Sequence, residues 1–231
     1  LPYFEKMKAS LRHWHPEVPV ELVSGDTLKD ALARDPYFYY RATPVIGSQL
    51  LKEYKKVIKI DSDSIITSSL DYILNDEDEF DVGTVFNDTP LSVWDIQTYY
   101  NCGLVVMKSE NFVDHWHRLC YSPHFEHYQY REQDLLSIIT SDYFNYKVKC
   151  YDLDDKVSGI VSKPEWPQAY MKNGEIYIKT RQGEKPLAVI HFGGGNSDPS
   201  KGNYNIRFKP EVVEYIDSLV KTSPSEVMPY V

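Results

Sequence analysis

Tyr54-Lys55-Lys56-Val57-Ile58-Lys59-Ile60-Asp61-Ser62-Asp63 runs a short β-branched segment straight into two carboxylates two residues apart. Strand periodicity of two places both acids on one side of the chain. In open α/β sheets ligands bind beyond the carboxyl ends of the strands, so Asp61 and Asp63 stand where a site is expected. Two like charges this close repel unless something neutralises them. A divalent cation such as Mn²⁺ or Mg²⁺, which takes carboxylate oxygens, is the simplest candidate. The same residues also fit a polar turn in which Asp63 caps the next helix.

Outward from this point, strand-like and helix-like patterns alternate. Upstream, Phe4, Met7, Leu11 and Trp14 recur at helical spacing between Pro2 and Pro16. A β-branched run follows over residues 18–23, then a helical pattern through Leu28, Ala31 and Leu32, and another over 44–53. Downstream, residues 57–60, 80–86 and 100–107 read as strands, and 109–120 as a helix opened by Ser109-Glu110. A helix is expected over 133–140, strands over 148–158, 176–180 and 187–192, and a last helix over 210–220. No repeat or linker divides the chain, so the expectation is one α/β domain over residues 1–231, with a mixed, mostly parallel central sheet flanked by helices.

Composition agrees with this class. The chain has 231 residues, of which 42% are hydrophobic and 26% charged, enough to bury a core without staples. Its 25 basic against 34 acidic residues give a net charge of −9, which excludes nucleic acid as an expected partner because phosphate backbones demand a basic surface. No apolar run approaches the roughly 20 residues of a membrane span. Cys102, Cys120 and Cys150 form no CxxC pair and read as free thiols, which makes a reducing, cytoplasmic setting the default expectation.

Four motifs in a fixed order extend the argument. Tyr40-Arg41-Ala42 precedes a helix and then the strand into Asp61-Ser62-Asp63; Tyr100-Asn101-Cys102-Gly103 opens an apolar strand; Glu132-Gln133-Asp134-Leu135-Leu136 opens a helix; and Ile190-His191-Phe192-Gly193 ends the last strand. Together, over roughly residues 40–195, they resemble the GT-A fold nucleotide-sugar glycosyltransferases, especially glycosyltransferase family 8. GT-A domains begin with a strand, whereas a helix starts at the first residues here, so that opening strand is expected to lie outside this sequence.

The resemblance implies a Rossmann-like GT-A domain and a role for each position. Asp61, Asp63 and His191 would hold Mn²⁺ or Mg²⁺, and the cation would bridge the diphosphate of a nucleotide sugar, UDP-linked in preference to GDP-linked. Arg41 and Lys201 would face the diphosphate, with Ser62, Gly103 and Gly193 beside the nucleotide sugar. Asn101, Glu132, Gln133 and Asp134 would surround the reacting sugar. Family 8 members retain anomeric configuration, which would put Gln133 near the anomeric carbon; in an inverting enzyme Glu132 or Asp134 would be the base. The acceptor would be a carbohydrate or glycoconjugate. Tyr37, Phe38, Tyr39, Tyr40, Trp94, Tyr99 and Tyr100 offer faces for stacking on a base or sugar, or fill core and rim.

Blander roles fit the same residues: His191 as a strand-end histidine, Asn101 as a turn former, Gln133-Asp134 as helix openers, Lys201 as a solvated loop residue. Lys201 also follows the glycines at a longer spacing than the family's Gly-x-x-Lys-Pro turn. Two rival functions share the local pattern. One is a haloacid-dehalogenase-type Mg²⁺ phosphatase with Asp61 as nucleophile, although Asp154-Asp155 and Lys156 come in the wrong order for it. The other is a module that binds a nucleotide sugar without turnover.

Overall fold

The structure is a computed structural model, and it describes residues 2–24, 26, 28–86, 98–151, 169–180, 183–191 and 208–221. In chain order the elements begin with α1 (Pro2–Trp14), α2 (Lys29–Arg34), α3 (Phe38–Leu50), β1 (Val57–Ile60), β2 (Ser64–Ile66) and α4 (Asp71–Leu74). Then come β3 (Val82–Phe86), β4 (Tyr100–Met107), α5 (Glu110–Cys120), α6 (Glu132–Ile139) and β5 (Val148–Cys150). The chain continues through β6 (Tyr170–Lys172), β7 (Glu175–Thr180), β8 (Gly183–Pro186), β9 (Val189–His191) and α7 (Pro210–Lys221). They fall into two compact units interleaved in sequence: Glu21–Asp61 with Asp76–Gly159, and Leu1–Val20 with Ser62–Asn75 and Ile160–Val231.

The first of these units is built on a four-stranded sheet in the order β1-β4-β3-β5. β4 is its centre because Gly103 through Met107 are buried without a break, which needs cover on both faces. Helices α5 and α6 supply much of that cover through Phe112, Val113, Trp116, Leu135, Leu136 and Ile139, all buried in one apolar cluster. Each such side chain stabilises the fold by about 1.5–3 kcal/mol. Ser109 caps α5 as expected, its Oγ accepting from Phe112 N at 3.3 Å. α3 comes close to β4 at Gly47, where a Cβ would stand 2.6 Å from the Met107 sulfur.

The second unit is organised around two smaller sheets. β2 and β9 pair antiparallel, with Ser64 opposite His191, and β6, β7 and β8 form an antiparallel meander. α1 turns Phe4, Met7 and Leu11 inward, and α7 does the same with Val212, Ile216 and Leu219. Polar contacts join α1 to the chain around β2: Ile66 N donates to Ser10 Oγ at 2.9 Å and Leu70 N to His15 Nε2 at 2.8 Å. Tyr215 of α7 donates through its hydroxyl to Thr67 O at 3.3 Å.

Several expectations need correction. The sheet is mixed, but among the described strands only β3 and β5 run parallel; β1-β4 and β3-β4 are antiparallel. A doubly covered strand reads as a continuous apolar run in either direction, so the pattern carries no polarity. Residues 18–23 form no strand, because Pro19 has no N–H to give a ladder. The helix expected from residue 44 starts at Phe38, and Pro44 lies inside it rather than at its first turn. Among the described residues no helix is long and apolar enough to cross a membrane.

Candidate metal and sugar-nucleotide site

Asp61 directly follows β1, and the antiparallel ladder with β4 carries on to hold it: Ile60 faces Leu104, and Asp61 N donates to Gly103 O at 2.9 Å. Backbone pairing therefore brings the first aspartate beside the Asn101-Cys102-Gly103 segment. Lys59, two residues earlier and on the same side of the strand, donates from Nζ to both Asp61 Oδ1 and Cys102 O. Burial works against the Lys59 ammonium, yet Asp61, by its charge and its hydrogen bond, together with Cys102 and Glu132 outweighs it and holds the lysine pKa above its usual value.

Asp63 lies one residue before β2. Because Ser64 pairs with His191 across the β2-β9 ladder, the imidazole is delivered to the second aspartate, and His191 Nε2 is 3.1 Å from Asp63 Oδ1. His191 is buried and Asp63 partly exposed. Asp63 and His191 are thus brought together, with Asp61 two residues before Asp63 along the chain. Two carboxylates and an imidazole suit Mn²⁺ or a similar transition ion better than Ca²⁺ or Mg²⁺, which prefer oxygen throughout. The donor set thus fits a divalent metal.

A connected polar network joins β4 to α6. Asn101 Oδ1 accepts from Gly103 N at 2.6 Å, which fixes its side chain along the strand. Gln133 Oε1 accepts from Cys102 N at 3.0 Å, and its Nε2 donates to the Tyr99 hydroxyl at 2.9 Å. That hydroxyl in turn donates to Asp134 Oδ1 at 2.6 Å, while Asp134 Oδ2 accepts from Tyr130 N at 2.9 Å. Asp134 is 2% exposed, and Tyr99 is equally buried. Burial, reinforced by the Asp134 carboxylate, pushes the Tyr99 phenol well above its usual pKa, so it stays protonated and donating.

Glu132 differs from its neighbour Asp134. Its Oε2 is buried with no hydrogen-bond partner among the described residues, and burial raises its pKa to about 7, with Asp61 and Asp134 adding to the rise and Lys59 opposing it. An acid with that pKa exchanges a proton near neutrality. Asp134, with both oxygens accepting from the protein, is tied into the scaffold instead.

The remaining expected positions are scattered in what they do. Arg41 on α3 donates from Nε to Cys120 O at 2.8 Å and from Nη1 to Asp35 Oδ2, and its guanidinium carbon lies 4.7 Å from the Tyr121 ring centre and 4.6 Å from that of Phe125. It links α3 to the end of α5. Ser62 is exposed between the aspartates, and Gly103 is buried in β4. Gly193 and Lys201 lie outside the described residues, as do Trp94, Asp154, Asp155 and Lys156. Lys59 is not among the expected site residues, and Tyr99 is expected as a stacking face or as a core or rim residue. A charge inside an apolar strand was the available signal for Lys59; nothing local marked Tyr99 as the hub of a network.

No family model and no curated protein sequence matches the chain. Among solved structures it is similar to the galactosyltransferase LgtC in complex with donor and acceptor sugar analogues, at a TM-score of 0.58 and 13% identity over 97% of this chain and 92% of that one. An active-site mutant of LgtC gives a TM-score of 0.56 at 12% identity over the same shares. The glycosyltransferase GlyE of Streptococcus pneumoniae TIGR4 gives 0.43 at 13% identity, over 78% of this chain and 48% of that one. At such identities the likeness is one of fold. The chain has the GT-A fold that its motifs implied.

Proposed function

We propose that this chain is a metal-dependent glycosyltransferase, moving a hexose from a nucleotide diphosphate sugar to a carbohydrate or glycoconjugate acceptor with retention of configuration. UDP-sugars are the preferred donors. The observation that carries this reading is the pairing of Asp63 with His191, two residues after Asp61, on a chain with the GT-A fold.

In this reading Asp61, Asp63 and His191 hold the cation. When bound, it supplies Lewis-acid neutralisation of the diphosphate that leaves as the anomeric C–O bond breaks. Gln133 keeps one amide N–H and one oxygen lone pair after serving Tyr99 and Cys102, enough to orient a sugar hydroxyl or face the anomeric carbon without reacting itself. Asn101 and Gly103 set the backbone beside the donor. Glu132 is the residue suited to hold or move a proton. Ser62, Gly193 and Lys201 stay in the proposed donor-binding set with Arg41, which already spends two donors on Cys120 and Asp35.

The phosphatase alternative calls for a nucleophilic aspartate at the end of a strand within a parallel sheet, whereas β1 pairs antiparallel with β4. Calorimetric titration of UDP and GDP with and without Mn²⁺, repeated on Asp63→Ala, tests the transferase reading. Metal-dependent binding of one nucleotide, lost in the variant, supports it. Failure of both nucleotides to bind with metal present overturns it, and binding without donor hydrolysis would instead identify a sugar-nucleotide-binding module.

A further inference from the structure

Lys59 places a fixed positive charge on the first of the proposed metal ligands. Its Nζ donates at once to Asp61 Oδ1 and to the Cys102 carbonyl, so the ammonium is anchored at two points rather than free to swing away. The anchoring is framed by regular structure: Lys59 is opposite Val105 in the β1-β4 ladder, and the ladder extends to Asp61 N and Gly103 O. The lysine side chain is 22% exposed, so bulk water screens it only in part. Asp61 and Asp63 offer two negative charges to a divalent ion, and Lys59 returns one of them. A nucleotide diphosphate brings its own negative charges to the same ion.

We propose that Lys59 is a positioning residue that acts as an internal counterion for Asp61, weakening capture of a divalent cation by the nucleotide-free protein and thereby making metal loading depend on the diphosphate. This rests on the metal-dependent reading above. Two features follow from the same geometry. Asp61 is held in one orientation before any ion arrives, and the like charge of Lys59 opposes the ion until the diphosphate compensates it. Coupling of this kind is reciprocal: the nucleotide tightens the metal by the factor by which the metal tightens the nucleotide.

The test is the affinity for Mn²⁺ alone, read by electron paramagnetic resonance of the free ion, and for Mn²⁺ with saturating UDP, on the whole chain and on Lys59→Gln, Lys59→Met and Lys59→Arg. The glutamine variant keeps a donor for Asp61 or Cys102 while removing the charge, so it covers the case in which the methionine variant does not fold. Removing the charge is expected to tighten nucleotide-free Mn²⁺ binding by at least about tenfold and to shrink the gain from UDP, whereas arginine restores weak, UDP-dependent binding. A neutral variant that binds Mn²⁺ as weakly as the natural chain, or more weakly, overturns the role of Lys59 while leaving the metal site standing. Absence of Mn²⁺ binding in every variant, even with UDP, overturns the metal reading and this inference with it.

Discussion

The two aspartates of one short motif live in different settings. Asp61 is held by the β1-β4 ladder through its backbone and by Lys59 through its carboxylate. Asp63 stands one residue before a three-residue strand, with His191 at 3.1 Å. The contrast separates two jobs that a bare Asp-x-Asp conceals. One carboxylate belongs to the scaffold as much as to the site, and the other faces the imidazole delivered opposite it. Removing each should therefore damage different properties.

The sharpest break comes from Asp63→Ala. Metal-dependent nucleotide binding should weaken by about 100-fold or more, roughly 2.7 kcal/mol, while the thermal midpoint moves by no more than a few degrees. An unfolded or strongly destabilised variant in circular dichroism melts would contradict the division of labour. Asp61→Ala should instead lose stability as well, by about 2 kcal/mol in urea titration, because it leaves the Lys59 ammonium in a partly buried place without its carboxylate. Equal stability of the two alanine variants would erase the comparison.

Glu132 sharpens it through pH. Its folded pKa of about 7 stands above the ordinary carboxylate value, so the fold favours the protonated form. The stability it contributes is fully present below about pH 4.5 and is lost as pH rises through about 7. Glu132→Gln should flatten that part of the stability curve and leave the variant more stable than the natural chain at pH 8, by on the order of 2 kcal/mol. Chemical denaturation at pH 5 and pH 8 gives the answer. A smaller effect is expected for Tyr99→Phe, which deprives Asp134 and Gln133 of a shared partner and should cost about 1–2 kcal/mol. If that variant also slows donor hydrolysis without changing nucleotide affinity, the network orients Gln133 for the reaction.

Legibility from sequence followed the range of the interaction. β1 and β4 match their expected limits, and α5 begins where Ser109 caps it, because alternation, apolar runs and caps are written in neighbouring residues. The β6-β7 hairpin was only half seen, although Asn173-Gly174 with φ values of 53° and 84° is a strong two-residue turn signal. Strand direction was misjudged because burial does not encode it. In the site, the first two acids were visible as a local oddity, whereas the approach of His191 depends on a strand pairing that no local pattern states and entered only through the family resemblance. Lys59 lies within the decisive stretch itself, but its pairing with Asp61 is not evident from residue types, because two adjacent aspartates already call for a cation without it.

The pairing of Ser64 with His191 carries one more consequence. Successive side chains on a strand face opposite ways, so deletion of Val189 or Ile190 would let the ladder re-form only in a slipped register that turns the imidazole away from Asp63. Because Val189 and Ile190 are themselves buried, the same slip would also disturb the packing on both faces of β9. The approach of His191 to Asp63 is thus encoded as a count along two short strands, and frame as well as residue identity is what mutation must preserve there.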